Sequence, residues 1–202
     1  MSTQIPLRCE CGSIRGTALD IAPHTGTRLI CYCDDCQQFA RYLGKTDVLD
    51  THGGTDILHL APAQLRITQG SESLRCVRLS PKGLLRWYAG CCNTPIGNTM
   101  AKPGMPFVGL VHAFMDHAGD ARSRDEVLGP PRGRIHGRFA RGGLPAGAHP
   151  KAPLKLIAGI GARMLAAWIA RKQAPSPFFA PHTGAPVVEP VVLTKEQRSA
   201  LV

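Results

Sequence analysis

Cysteine forms the most chemically telling pattern in this chain. Five of its eight cysteines fall into two tight clusters, Cys9-Glu10-Cys11 and Cys31-Tyr32-Cys33-Asp34-Asp35-Cys36, and two more stand side by side at Cys91-Cys92. Thiolates a few residues apart can converge on one tetrahedral ion with bonds of about 2.3 Å, and zinc is the ion such a donor set suits. Residues two apart share a face of an extended segment, so Cys31 and Cys33 aim together, and the two-residue gap to Cys36 suits a metal-knuckle turn. Three sulfurs then reach one metal. The fourth position is either filled by a remote residue or left open, and an open position distinguishes reactive zinc from structural zinc.

The other set of candidate ligands is Cys9, Cys11, Cys91 and Cys92, expected to staple an N-terminal hairpin to later strands. Neighbouring cysteines project to opposite sides of a strand, so Cys91 and Cys92 serve one ion together only if the Ala89-Gly90 turn breaks the alternation. Cys92 is the safer ligand on this ground. Cys76 belongs to no cluster and reads as a core thiol. The eight histidines show no ligand spacing, although His52 in Thr51-His52-Gly53-Gly54 can approach the Cys31, Cys33 and Cys36 site.

These sulfurs need a scaffold, and the pattern around them is mainly β. Short extended segments are predicted at Ile5-Arg8, Ser13-Thr17, Arg28-Tyr32, Asp56-Leu60, Leu65-Thr68, Leu74-Leu79, Leu84-Tyr88 and Phe107-Phe114, with turns such as Ser80-Pro81-Lys82-Gly83 between them. Such regular short strands argue for antiparallel sheets over residues 1–117. Residues 118–150, rich in Gly, Pro and Arg, are expected to form a long irregular excursion. Within 151–174, Leu154, Ile157, Ile160, Met164, Leu165, Trp168 and Ile169 recur at three- and four-residue steps, which predicts one amphipathic helix over 154–172. It is expected to pack on the sheet or on another subunit rather than to lie on a membrane. Residues 175–202 form a Pro-rich extended tail with a last helical turn near Lys195-Ala200.

Bulk properties narrow the function. A chain of 202 residues with 44% hydrophobic content suffices for one sizeable core. The start, MSTQIPLRCECGS, has no basic region followed by an apolar stretch, so a reducing cytoplasm is the expected location, and no segment reads as a membrane span. The net charge of +10 comes mostly from residues 101–202, which carry fourteen Lys and Arg against six acids. Six arginines between Arg122 and Arg141 supply much of that excess, among alternating Gly and Pro; a solvated basic loop is favoured over a nucleic-acid surface.

The ordered series Cys9-x-Cys11-Gly12-x-x-Arg15-Gly16, Cys31-x-Cys33-x-x-Cys36-Gln37 and Cys92-Asn93-Thr94-Pro95-Ile96-Gly97 resembles the motifs of the glutathione-dependent formaldehyde-activating enzymes and the related centromere protein V. The likeness covers roughly residues 5–115. It implies a β-tent of small antiparallel sheets, two zinc ions, a catalytic three-thiolate site at Cys31, Cys33 and Cys36, and a structural site at Cys9, Cys11 and Cys92. The family's CxxCG pair is altered here, because Ala89 stands three before Cys92 and Cys91 one before it. The activity implied is that of a carbon–sulfur lyase: zinc accepts a thiol such as glutathione, as co-substrate, and the protein acts on its adduct with a small carbonyl compound. Tyr32, Gln37, His52 and an arginine are candidate helpers. The alternative is a zinc-stapled module that carries glutathione, or contacts a macromolecule through the basic segment, without turnover.

Overall fold

A computed structural model describes residues 3–117 and 122–201. The strands are β1 (Thr3–Arg8), β2 (Arg15–Ile21), β3 (Thr27–Cys31), β4 (Thr55–Leu60), β5 (Leu65–Gln69), β6 (Leu74–Arg78), β7 (Leu85–Ala89), β8 (Pro95–Thr99), β9 (Val108–Val111), β10 (Arg134–Ile135) and β11 (Val191–Val192). Among the described residues, four α-helices join them: α1 (Asp34–Tyr42), α2 (Arg124–Leu128), α3 (Leu154–Ile169) and α4 (Lys195–Ser199). The chain is therefore mainly β, as its alternation and turn spacing predict.

The strands form two sheets. One has three strands in the order β1-β2-β5, all antiparallel. The other has eight, in the order β10-β3-β4-β9-β8-β7-β6-β11. Six of these eight make antiparallel pairs with each other, whereas the short outer strands β10 and β11 run parallel to β3 and β6. Leu7, Ile14, Leu74, Cys76, Leu85, Trp87, Ile96 and Phe114 fill the main core, so Cys76 is a core thiol as expected.

β8 lies in the middle of the large sheet, with all five of its residues buried. Its sequence, Pro-Ile-Gly-Asn-Thr, carries little strand propensity and was not among the predicted strands. Tertiary packing imposes the conformation. A Cβ on Gly97 would stand 2.8 Å from the Gly109 carbonyl oxygen of β9, so the close pairing of these strands depends on its absence.

Past the sheet core the chain is more ordered than a loose excursion and tail. Residues 118–121 of the expected excursion lie outside the described residues; from Arg124 onward it supplies α2 and the outer strand β10. Three of its arginines have fixed partners: Arg124 pairs with Asp56 at 3.0 Å, Arg134 donates to the Tyr32 hydroxyl at 3.1 Å, and Arg141 donates to Gln37 Oε1 at 3.2 Å. Arg28, on β3, joins this network by holding Asp56 at 2.8 Å, Asp125 at 2.5 Å and the Gly129 carbonyl at 2.8 Å. The basic segment is thus tied to the sheet at these three points, while Arg132 and Arg138 stay exposed. In the tail, Phe178 is buried and stacks on Trp87 with ring centroids 4.8 Å apart, and β11 pairs with β6.

The predicted C-terminal helix is present as α3 and ends at Ile169 rather than 172. It lies on the body by a narrow stripe: Leu156 and Ile160 pack against the cluster of Leu29, Ile57 and Ile135. Leu154, Ile157, Leu165, Trp168 and Ile169 remain exposed. No helix among the described residues is long and apolar enough to cross a membrane.

Candidate metal centres and the cavity beside them

Two turns bring the first sulfur set together. Cys9 directly follows the first strand, and the Cys9–Ile14 turn to β2 closes on hydrogen bonds from Gly12 N to Cys9 O (2.8 Å) and Cys9 N to Ile14 O (3.0 Å). Between β7 and β8, Asn93 takes a left-handed φ of 59° and its N–H donates to the Ala89 carbonyl at 2.7 Å, which folds Cys91 and Cys92 back over the hairpin. The turns are tied together by Glu10 N donating to Thr94 Oγ1 at 3.0 Å. Asn93 and Thr94 thus explain the Cys92-Asn93-Thr94 run: one makes the turn and the other fastens it.

All four sulfurs lie within 4.8 Å of one another. Neighbouring separations are 3.6 Å (Cys9–Cys11), 3.3 Å (Cys11–Cys91), 3.8 Å (Cys9–Cys91) and 3.9 Å (Cys91–Cys92). A tetrahedron with metal–sulfur bonds of about 2.3 Å has edges of about 3.8 Å. The donor set therefore fits one such ion. The turn breaks the expected alternation, and Cys91 joins the set alongside Cys92.

The second set straddles the junction of β3 and α1. Cys31 is the last residue of the strand, Cys33 is the N-cap of the helix and Cys36 sits in its first turn, with Cys36 N donating to the Cys33 carbonyl at 3.0 Å. The helix start takes the place of the knuckle turn expected from the spacing. Asp34 and Asp35 in its first turn and Arg41 in its last suit its dipole. The three sulfurs lie within 4.8 Å of one another, and no fourth His, Cys, Asp or Glu joins them among the described residues.

Crowding divides these thiols. Hydrogen bonds from Cys31 and Cys33 hold the Cys36 thiol well below its ordinary value, and the positive charge of Arg86 helps against burial. Hydrogen bonds with Cys33 and Cys36, together with burial, push Cys31 well above it. For Cys33 the bond with Cys31 acts downward, but Cys36 and burial raise it to about 11. In the first set, hydrogen bonds from Ser13 lower Cys11 to about 6, while burial first and the neighbouring thiols next push Cys91 to about 12. Sulfurs this close compete to hold charge, and a dication relieves that competition for all of them together.

The three-cysteine set opens on a cavity of about 420 Å³. One part of its wall is apolar, from Leu29, Ile57, Phe107, Ile135 and the α3 residues Leu156 and Ile160; the other is polar and cationic, with Arg86, Asn98, His136, Arg138 and Arg198. Arg86 is buried and stiffly held: it donates to Asn98 Oδ1 at 3.1 Å, approaches Asp35 at 3.4 Å and lies 5.4 Å from the centre of the Phe39 ring. Arg198 reaches in from α4 to pair with Asp35 at 2.6 Å. A second cavity of about 400 Å³ beneath α3 shares His59, Phe107 and Ile160 with the first.

The predicted helpers fare differently. Tyr32 is fully buried and its hydroxyl donates to Asp50 at 3.1 Å; Gln37 donates to the carbonyls of Tyr32 and Phe139, both at 2.9 Å; His52 Nδ1 meets the Arg141 carbonyl oxygen at 3.0 Å. None of the three lines the cavity. They brace the wall that carries β10. Arg86 and Arg198, which do line it, carry no local signal: one alternates with buried residues in a strand, and the other lies 162 positions from Cys36.

Comparison with known proteins adds little to this geometry. No curated protein matches the chain. Among solved structures, a crystal structure of a Rhodobacter sphaeroides protein aligns with 63% of this chain and 97% of its own at 18% identity and a TM-score of 0.40. Residues 1–190 match the model of a family of unknown function, DUF6151, and the chain belongs to that family.

Proposed function

We propose that the chain is a divergent relative of the glutathione-dependent formaldehyde-activating proteins, a zinc-dependent carbon–sulfur lyase-type enzyme of a reducing cytoplasm with a β-tent core. Cys9, Cys11, Cys91 and Cys92 hold a structural zinc ion in this reading. Cys31, Cys33 and Cys36 hold the catalytic one. The carrying observation is that three sulfurs converge at a cavity wall with no fourth protein ligand among the described residues. A zinc ion held by these three sulfurs would supply the charge that keeps an incoming thiol deprotonated near neutral pH.

The reaction joins a thiol sulfur to a carbonyl carbon, and the proton lost by the thiol ends on the carbonyl oxygen; cleavage of the adduct is the reverse. Arg138 and Arg198 would orient a thiol that carries carboxylates, such as glutathione. His136 lines the same space and is the group suited to moving the proton through its imidazole nitrogen. Arg86, fixed by Asn98 and Asp35, balances the sulfur charge from inside the wall.

The test combines metal analysis, calorimetric titration with glutathione, and turnover of glutathione with a panel of aldehydes. Two zinc ions per chain in the parent, one in Cys36→Ser with the fold retained, and loss of both glutathione binding and turnover in that variant are the expected results. Glutathione binding without turnover of any aldehyde would make the chain a carrier. A protein that takes up no zinc at Cys31, Cys33 and Cys36 would end the proposal.

A further inference from the structure

α3 presents an unusual face. At 100° per residue, Leu156, Ile160, Met164 and Ala167 fall on one narrow arc, and these four are the partly buried positions of the helix. Leu154, Ile157, Leu165, Trp168 and Ile169 fall on a separate arc about 120° wide. Their exposures are 83%, 51%, 58%, 57% and 70%. Together they form a continuous outward apolar patch rather than scattered surface residues.

The charge around this patch has one sign. Between Glu126 and Glu189 the chain contains no acidic residue and nine Lys and Arg. Lys155 and Arg163 fall on the flank of the helix between the two apolar arcs, and with Arg132 and His149 they line a groove of about 400 Å³. Arg132 and Arg163 each donate to a backbone carbonyl, of Pro23 at 3.1 Å and of His24 at 2.7 Å, which fixes their positions without neutralising them. A cationic groove alongside an exposed aliphatic and tryptophan face matches the layered chemistry of a phospholipid surface: phosphates outside, acyl chains inside. A second copy of this chain would bring two basic faces together, and a nucleic acid would leave the aliphatic face wet.

We propose that α3 docks the protein on an anionic phospholipid bilayer, with Leu154, Leu165, Trp168 and Ile169 entering the acyl boundary and Lys155, Arg163 and Arg132 meeting lipid phosphates. At 16 residues the helix is about 24 Å long and lies in the interface rather than crossing it.

The experiment uses the full chain and vesicles of phosphatidylcholine alone or with one quarter phosphatidylglycerol. Sedimentation should show at least about tenfold stronger binding to the anionic vesicles, weakening with added salt. Trp87 is fully buried and Trp168 is exposed, so a blue shift of emission on vesicle addition reports on Trp168. The double variant Leu165→Ser/Trp168→Ser should lose binding to both vesicle types. Lys155→Glu/Arg163→Glu should lose the preference for anionic lipid by about tenfold or more. Three results would overturn the proposal: no vesicle binding by the parent, binding unchanged in the double serine variant, or lipid-free self-association that the same variant abolishes. Binding of duplex DNA in preference to vesicles would count against it equally.

Discussion

The buried ion pair of Arg28 and Asp56 offers the sharpest test of how the sheet positions Cys31, Cys33 and Cys36. Asp56 lies on β4 opposite Ile30, next to the Cys31–Thr55 pair, and the side chains of Arg28 and Asp56 are only 7% and 9% exposed. Asp56→Asn keeps the shape and removes the charge. Arg28 then keeps only Asp125, which is 63% exposed, as an anionic partner, beside the Gly129 carbonyl and one amide oxygen at position 56. Breaking a buried pair typically costs about 3–5 kcal/mol, and the surviving partners put the expected loss at about 3 kcal/mol. Asp125→Asn, at the exposed end of the same network, should cost at most about 1 kcal/mol. Urea unfolding at fixed free zinc, followed by far-ultraviolet circular dichroism, measures both. Burial raises the Asp56 carboxyl, but the hydrogen bonds and charge of Arg28, with Arg124, outweigh it and hold the group below its ordinary value. Its contribution is therefore complete above about pH 4, the ordinary carboxylate range, and is lost as the pH falls below that. The gap between parent and Asp56→Asn should close in the same window. If Asp56→Asn costs no more than Asp125→Asn, the network does not anchor the sheet as described.

Other consequences are equally open to measurement. Phe178→Ala should cost about 3–5 kcal/mol in urea unfolding, because the ring is buried against Trp87, and near-ultraviolet dichroism should lose its tryptophan signal. Burial depresses His59 to about 4, so the parent should lose stability as the pH falls from about 6.5 toward 4, and His59→Leu should flatten that slope. Cys76→Ala should destabilise the fold without changing the zinc count, since Cys76 is buried in the main core and belongs to neither sulfur set. If the apolar wall of the cavity receives substrate, turnover of glutathione adducts should favour carbonyl compounds of several carbons over formaldehyde, and Ile160→Trp should abolish that preference in steady-state kinetics.

Cysteine spacing revealed both sulfur sets because a metal needs donors at short, fixed intervals, and that demand is written locally. Cys31, Cys33 and Cys36 are brought together as expected, although a helix start does the work assigned to a turn. What the spacing could not convey is long-range. Arg198 comes from the far end of the chain, and Arg86 sits in a strand where alternation suggests a wet side chain yet is 2% exposed. β8 was hidden by its Pro, Gly and Asn, residues that a sheet centre tolerates only when neighbouring strands enforce it. For α3 the periodicity was legible, but it merged two apolar faces into one; only the fold separates Ile160 and Met164 from Trp168 and Ile169. Charge counting likewise saw the arginines of 122–141 without their acceptors on Asp56, Tyr32 and Gln37.

Both margins of the eight-stranded sheet are closed by two-residue ribbons from the second half of the chain, β10 along β3 and β11 along β6. An unguarded margin offers a row of free amides and carbonyls to any passing strand. A polypeptide cut back to the cysteine-bearing portion would keep every sulfur ligand and still lose both guards, together with the Phe178 lid on Trp87. Such a fragment would be expected to clump into fibrous or amorphous aggregates, and dissection of this protein into a minimal sulfur-bearing unit should retain the stretch through Leu193.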